Sequence, residues 1–182
     1  TLLGILLASV PLIGAWAAVG RPDKAQEVFD AIARIGLPHT VESFGGLIKA
    51  YAQAGQVSGG RAAFQQMMES PHSIPPTCMI GSILIDAYRL EGRIRDAEDV
   101  FQTMLNWQVE PDMFLILSMF MVYEDVGRLD QLGWVQERVA LAGMFNLNMA
   151  SSLMDAYAHV DRIDDARAVW QQADPQDFKR GS

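Results

Sequence analysis

Apolar residues recur along this chain at helical spacing, in stretches of about a dozen residues punctuated by glycine or proline. The stretch 84–112 shows the pattern most plainly. Leu84, Ile85, Ala87 and Tyr88 share one face of a first helix. Gly92 then stops it, because glycine enters the left-handed backbone of a helix end without strain. Ile94, Ala97, Val100, Phe101, Met104 and Leu105 form the inner face of a second helix, and Pro111 ends the unit.

The same order of residues returns four more times. The aromatic near the end of each first helix is Trp16, Tyr51, Tyr88, Tyr123 and Tyr157, at successive steps of 35, 37, 35 and 34 positions. Four residues later stand Gly20, Gly55, Gly92, Gly127 and Asp161. Phe29, Phe64, Phe101, Gln136 and Trp170 recur in the second helices. Self-similarity at this period predicts an all-α solenoid of about five helix-turn-helix repeats, since no single helix pair can cover its own apolar face. The repeats run approximately 6–40, 41–77, 78–112, 113–146 and 147–182, as one domain.

The predicted first helices are Ser9–Val19, Thr40–Ala54, Cys78–Leu90, Met113–Val126 and Asn148–His159. Their partners are Arg21–Arg34, Val57–Met68, Arg93–Trp107, Leu129–Ala142 and Ile163–Ala173. Ser9 reads as a helix cap ahead of Pro11, with residues 1–8 the tail of an upstream repeat. The uncharged opening 1–20 keeps repeat register from Leu12 onward, so no membrane span is expected. Gly60 takes the slot of Ala25, Ala97 and Ala166, which implies close helix contact. The proline-rich loop Glu69–Thr77 accounts for the longest step. Asp161 replaces the turn glycine, a role aspartate tolerates. The helix beginning M-F-L-I-L-S-M-F-M-V-Y is so apolar that most of it must be covered, or else serve as a contact patch. Asp174–Ser182 reads as a frayed polar end, and the chain is expected to be a fragment of a longer protein.

Composition narrows the chemistry. The net charge is −8, so a strongly basic nucleic-acid footprint is missing. The single cysteine, Cys78, excludes an internal disulfide and a cysteine-based zinc cage. His39, His72 and His159 fall in different repeats, and Glu69-x-x-His72 reads as a solvated loop. Asp161, Asp164 and Asp165 complement a helix N-terminus. No catalytic constellation, metal site or cofactor motif stands out, and the chain is expected to bind rather than catalyse.

The helix endings Phe64-x-x-Met67 and Phe101-x-x-Met104, the sequence Val109-Glu110-Pro111-Asp112, and the L-I-x-A-Y ahead of the glycine resemble the pentatricopeptide repeat family. The resemblance is closest around Tyr51 and Tyr88. It implies a right-handed superhelix whose first helices line a groove for single-stranded RNA, read at about one base per repeat in mitochondria or plastids. Mitochondria are the preferred expectation. The family's first reading slot, six before the aromatic, holds Val10, Gly45, Ser82, Leu117 and Ser151. The second, the last residue of the repeat, holds Thr40, Thr77 and Asp112. By resemblance, Ser82 with Asp112 favours a purine. The slot that often carries a phosphate-facing lysine holds Ala18, Gln53, Leu90, Asp125 and His159. The site residues expected to face RNA are therefore Gly45, Thr77, Ser82, Asp112 and Ser151. The alternative is a protein–protein scaffold in an organellar ribosome or translation-activator complex, with a partner on the Met113–Tyr123 helix.

Overall fold

The computed structural model describes residues 2–69 and 74–173, with side chains from Ser9 onward. Among these residues it holds ten α-helices: α1 Leu2–Ala18, α2 Pro22–Arg34, α3 Val41–Gln53, α4 Val57–Glu69, α5 Cys78–Leu90, α6 Ile94–Asn106, α7 Met113–Asp125, α8 Leu132–Leu141, α9 Leu147–His159 and α10 Ile163–Gln172. They alternate as first and second helices of successive pairs. His72, Pro71 and the expected frayed end lie outside the described residues.

The turn between the helices of a pair is built the same way each time. Gly20, Gly55, Gly92 and Gly127 sit at φ between 65° and 68°, and Asp161 at 58°. The next residue's N–H then reaches back to the carbonyl of the repeat aromatic. Gln56 donates to Tyr51 at 2.9 Å, Arg93 to Tyr88 at 2.9 Å, Arg128 to Tyr123 at 2.7 Å and Arg162 to Tyr157 at 2.8 Å. This six-to-one bond closes the helix and satisfies a carbonyl that would otherwise lack a donor. The spacing of aromatic to glycine is thus a backbone requirement.

Two expected boundaries differ. α1 is continuous from Leu2, with Pro11 inside it rather than at its start. Proline in a helix interior loses a backbone bond and crowds the carbonyl four residues back, at a cost of about 3 kcal/mol, but the uncharged run ahead of it offers no competing turn signal, and the helix extends through it. Ser9 is consequently interior to the helix and not its cap. The expected helix Leu129–Ala142 is divided into a 3₁₀ turn at Leu129–Gln131 and α8. Leu132 stands where other repeats place Ala25, Gly60 or Ala97, yet it is fully buried, and the α-helix begins only there.

The chain forms two compact units, residues 1–87 and 88–182. In the first, α1 packs on α2 and α3, and α3 packs on α4. Phe29, Phe44, Leu47, Ile48, Phe64 and Met67 are at most 1 % exposed. Each such side chain stabilises by about 1.5–3 kcal/mol on burial. A Cβ at Gly60 would lie 3.3 Å from Leu84 Cδ2, confirming the close contact expected there.

In the second unit, α7 packs against α6, α8 and α9. Leu115, Ile116, Met119, Phe120, Val122 and Tyr123 are all at most 1 % exposed. Most of the apolar Met113–Tyr123 stretch is therefore consumed by neighbours on several sides, as a helix apolar all round requires. Phe114, 67 % exposed, is the main apolar side chain it leaves in solvent.

Candidate nucleic-acid interface

The residues in reading register sit at the starts of the first helices. Thr40, Thr77, Asp112 and Asn146 each precede a first helix, and each caps it with its own side chain. Thr40 Oγ1 accepts from Ser43 N at 3.3 Å, and Ser43 Oγ accepts from Thr40 N at 2.9 Å. Thr77 Oγ1 accepts from Ile80 N at 3.4 Å. Asp112 Oδ1 accepts from Leu115 N, and Asn146 Oδ1 from Met149 N, both at 2.9 Å. Short polar side chains are selected here because a helix begins with N–H groups that have no partner of their own. Asn146 is the fourth member of this row. Its signal was present in the sequence, an asparagine immediately before an apolar helical segment, but the irregular end of its repeat hid the register. Its amide also donates to Glu110 Oε1 at 2.7 Å, so both ends of that side chain are engaged.

The first reading slot is less uniform. Gly45 is buried, and a Cβ there would stand 3.6 Å from Ile80 Cγ1 and 3.9 Å from the methyl of Met79. Ser82 is half-buried on α5, and its Oγ is shut off from water with no hydrogen-bond partner among the described residues. Leu117 is half-buried on α7, and Ser151 is exposed on α9. Thr77 is half-buried and Asp112 exposed.

The outer stripes of the first helices are acidic and apolar. On α3, Glu42, Lys49 and Gln53 are exposed. Backbone and Thr40 hydroxyl hydrogen bonds hold the Glu42 carboxyl below the usual range. Met79 is 62 % exposed near the start of α5, and Leu90 is 78 % exposed at its end. In the lysine slot of α7, Asp125 accepts from Arg89 at 2.6 Å, which neutralises it without offering a cation to phosphate. On α9, Asn148, Ser151, Asp155 and His159 are exposed.

The repeat tyrosines are anchors of this surface. Tyr51 Oη donates to Gln26 at 2.9 Å and Tyr123 Oη to Glu98 at 2.8 Å. Tyr157 Oη reaches Gln136 at 3.4 Å. Each bond ties a first helix to the second helix of the preceding pair. Burial, chiefly, pushes the Tyr157 phenol up to about 12 and raises that of Tyr123 further, so both remain neutral donors. Among the described residues, no group of three or more histidine, cysteine or carboxylate side chains is placed to hold a metal ion, and no helix is long and apolar enough to cross a membrane.

Comparison with known proteins places this geometry in context. A model of the PPR repeat matches residues 42–72 and 82–109. A mitochondrial pentatricopeptide repeat-containing protein of Arabidopsis thaliana is 22 % identical over 75 % of this chain and 20 % of its own length. The large ribosomal subunit protein mL102 (rPPR5) of the same plant is 28 % identical over 66 % of this chain and 17 % of its own. The chain thus spans about a fifth of the length of these curated relatives. Among solved structures, maize PPR10 superposes with a TM-score of 0.66 at 19 % identity, over 92 % of this chain and 24 % of that one. The PPR domain of Arabidopsis protein-only RNase P 1, in complex with tRNA, gives 0.62 at 14 % identity, over 94 % of this chain and 89 % of that one. PPR10 was also solved with an 18-nucleotide psaJ RNA element. These likenesses fix the fold as that of helix-pair repeats.

Proposed function

Because residues 42–72 and 82–109 match the PPR repeat, we propose that the chain is a binding module of an organellar protein that engages single-stranded RNA through its first helices. Transcript stability, processing or translation would be served by the whole protein. The observation that supports this is the match of residues 82–109 to the PPR repeat. Counted from Tyr88, Ser82 falls in the first reading slot of that unit and Asp112, just beyond the matched residues, in the second. Asp112 is exposed and offers a carboxylate to a base edge. Thr77 and Ser151 supply further hydroxyls, and Gly45, packed on Ile80, brings backbone rather than a side chain to its slot. The mitochondrion is the favoured compartment, supported by the naming of relatives; the plastid is the alternative.

A second reading has its own support. Lys49 is outnumbered in the outer register by Glu42, Asp86, Asp125 and Asp155, and Leu90 and Phe114 are exposed. Affinity for RNA rests largely on neutralised phosphates. A scaffold that meets protein, as a ribosomal relative suggests, fits an acidic and apolar surface better.

Labelled single-stranded RNA pools titrated across a salt series separate the two. RNA recognition predicts micromolar or tighter binding that weakens steeply with salt. Ser82→Ala should then change base preference at one position. Asp112→Asn is the informative partner variant, because asparagine caps a helix as well as aspartate does while changing the groups offered to a base. An absence of binding at low salt removes RNA recognition from this segment and favours the scaffold.

A further inference from the structure

Each of the two units has a cleft lined mainly by residues of its second helices. One, about 300 Å³, is lined by Gln102, Leu105, Asn106, Gln108, Arg138 and Leu141 of α6, α8 and the turn after α6. The other, about 540 Å³, includes Ala33, Gln66 and Glu69. In repeat register these are the same place, since Ala33 corresponds to Leu105, Gln66 to Arg138 and Glu69 to Leu141, each 72 positions on. The groove itself is therefore a product of the architecture. Its lining in the second unit is not.

Three observations set that lining apart. Arg138 stacks on Trp134, with its guanidinium carbon 5.6 Å from the ring centroid. Its Nε is shut off from water with no acceptor among the described residues, and no carboxylate lines the cleft around it. Gln108 holds a left-handed backbone at φ 56°, where the corresponding positions are Gly36 and Gly143 at 75° and 71°. A non-glycine residue there is strained, yet it contributes a side-chain amide to the cleft. Leu141, beside Arg138's end of α8, is 70 % exposed. A cation lacking an anion, amide groups with N–H donors, and an uncovered apolar side chain thus converge on one small volume.

We propose that this cleft is a docking site for a carboxylate of a partner protein carried next to an aliphatic side chain, as at a chain terminus ending in leucine. The carboxylate supplies the charge that Arg138 lacks and accepts from the amides of Gln108 and Asn106. The aliphatic group covers Leu141. Charge complementarity sets the occupant: the cleft carries a positive charge in an otherwise acidic protein. The site is independent of the first-helix surface, so an RNA-bound chain could hold the partner as well.

The test uses the 182-residue chain and N-acetyl-leucine as the probe, read by the side-chain N–H signals of Gln102, Asn106, Gln108, Arg138 and Trp134 in NMR spectra at constant ionic strength. Saturable shifts at these groups are expected, with none from N-acetyl-leucinamide, which lacks the carboxylate. Arg138→Gln should weaken binding by about tenfold or more, the worth of a charge-assisted hydrogen bond. Gln108→Gly relieves the backbone strain, so it should weaken binding in a protein that is at least as stable. Equal shifts with the amide, tighter binding of inorganic phosphate, or no saturation would each overturn the proposal.

Discussion

Gly59 offers the sharpest test of the packing described for the first unit. It lies inside α4, where alanine would ordinarily be favoured by about 1 kcal/mol. A Cβ at Gly59 would stand 2.5 Å from Cδ1, 2.6 Å from Cε1 and 2.9 Å from Cγ of Tyr51. Because Cγ is among the atoms met, the ring must swing from its root rather than bend at its tip. That swing pulls Tyr51 Oη away from Gln26, with which it bonds at 2.9 Å. Overpacking costs about 1–3 kcal/mol and the lost hydrogen bond about 1 kcal/mol, so Gly59→Ala should destabilise by about 1–3 kcal/mol after the helix gain is set against both. Gly133 is the control: it lies in α8, and a Cβ there meets nothing within 4 Å. Gly133→Ala should stabilise by up to about 1 kcal/mol. Urea unfolding followed by helical circular dichroism measures both. Adding Tyr51→Ala to Gly59→Ala should restore the favourable sign of the second change. If Gly59→Ala stabilises the protein with Tyr51 in place, the close approach inferred from the backbone is wrong.

Three further outcomes follow from particular contacts. Tyr123→Phe should cost about 1.5–3 kcal/mol, because it deletes a hydrogen bond to the Glu98 carboxylate from a fully buried ring; a double-mutant cycle with Glu98→Ala that gives no coupling would refute that account. His39 stacks on Phe29 with ring centroids 3.6 Å apart, and burial, opposed by Asp30, lowers its pKa. The folded state therefore prefers the neutral ring, and its contribution is complete above the ordinary histidine value near about 6.5. That stability is lost as pH falls through this value toward the lower folded one. Melting temperature should drop in that window, and His39→Phe should flatten the drop. Asp112→Ala should lose about 1 kcal/mol by uncapping α7, whereas Asp112→Asn should be nearly neutral; equal losses in thermal unfolding would show that capping is not what the side chain contributes.

How much was legible in the sequence follows from how local each cause is. The turn glycines, and Asp161 in their place, are fixed by backbone sterics, so their positions and the helix ends beside them could be read directly. The apolar faces obey the helical period, and Ala25, Phe29, Phe64, Phe101 and Met104 are buried as that period requires. Gly60 was legible too, because repetition placed it among alanines. α1 escaped, since a proline is tolerated best in a first turn and costs about 3 kcal/mol in a helix interior, so the local rule pointed to a start where the apolar run continues through it.

The candidate interface was legible as register and not as environment. That Thr77, Ser82, Asp112 and Ser151 share the register in which the family's reading slots are expected follows from counting. That Ser82 Oγ has no partner among the described residues, that Asp125 is taken by Arg89, and that Gly45 lies against Ile80 depends on neighbours about one repeat away. The sequence alone determined a repeating all-α chain, because helical period and turn chemistry act within a few residues. Only the tertiary structure decided which polar groups are spent on capping and pairing, and which, like Ser82 Oγ and Arg138 Nε, have no hydrogen-bond partner among the described residues, because hydrogen-bond satisfaction depends on side chains brought together from separate helices.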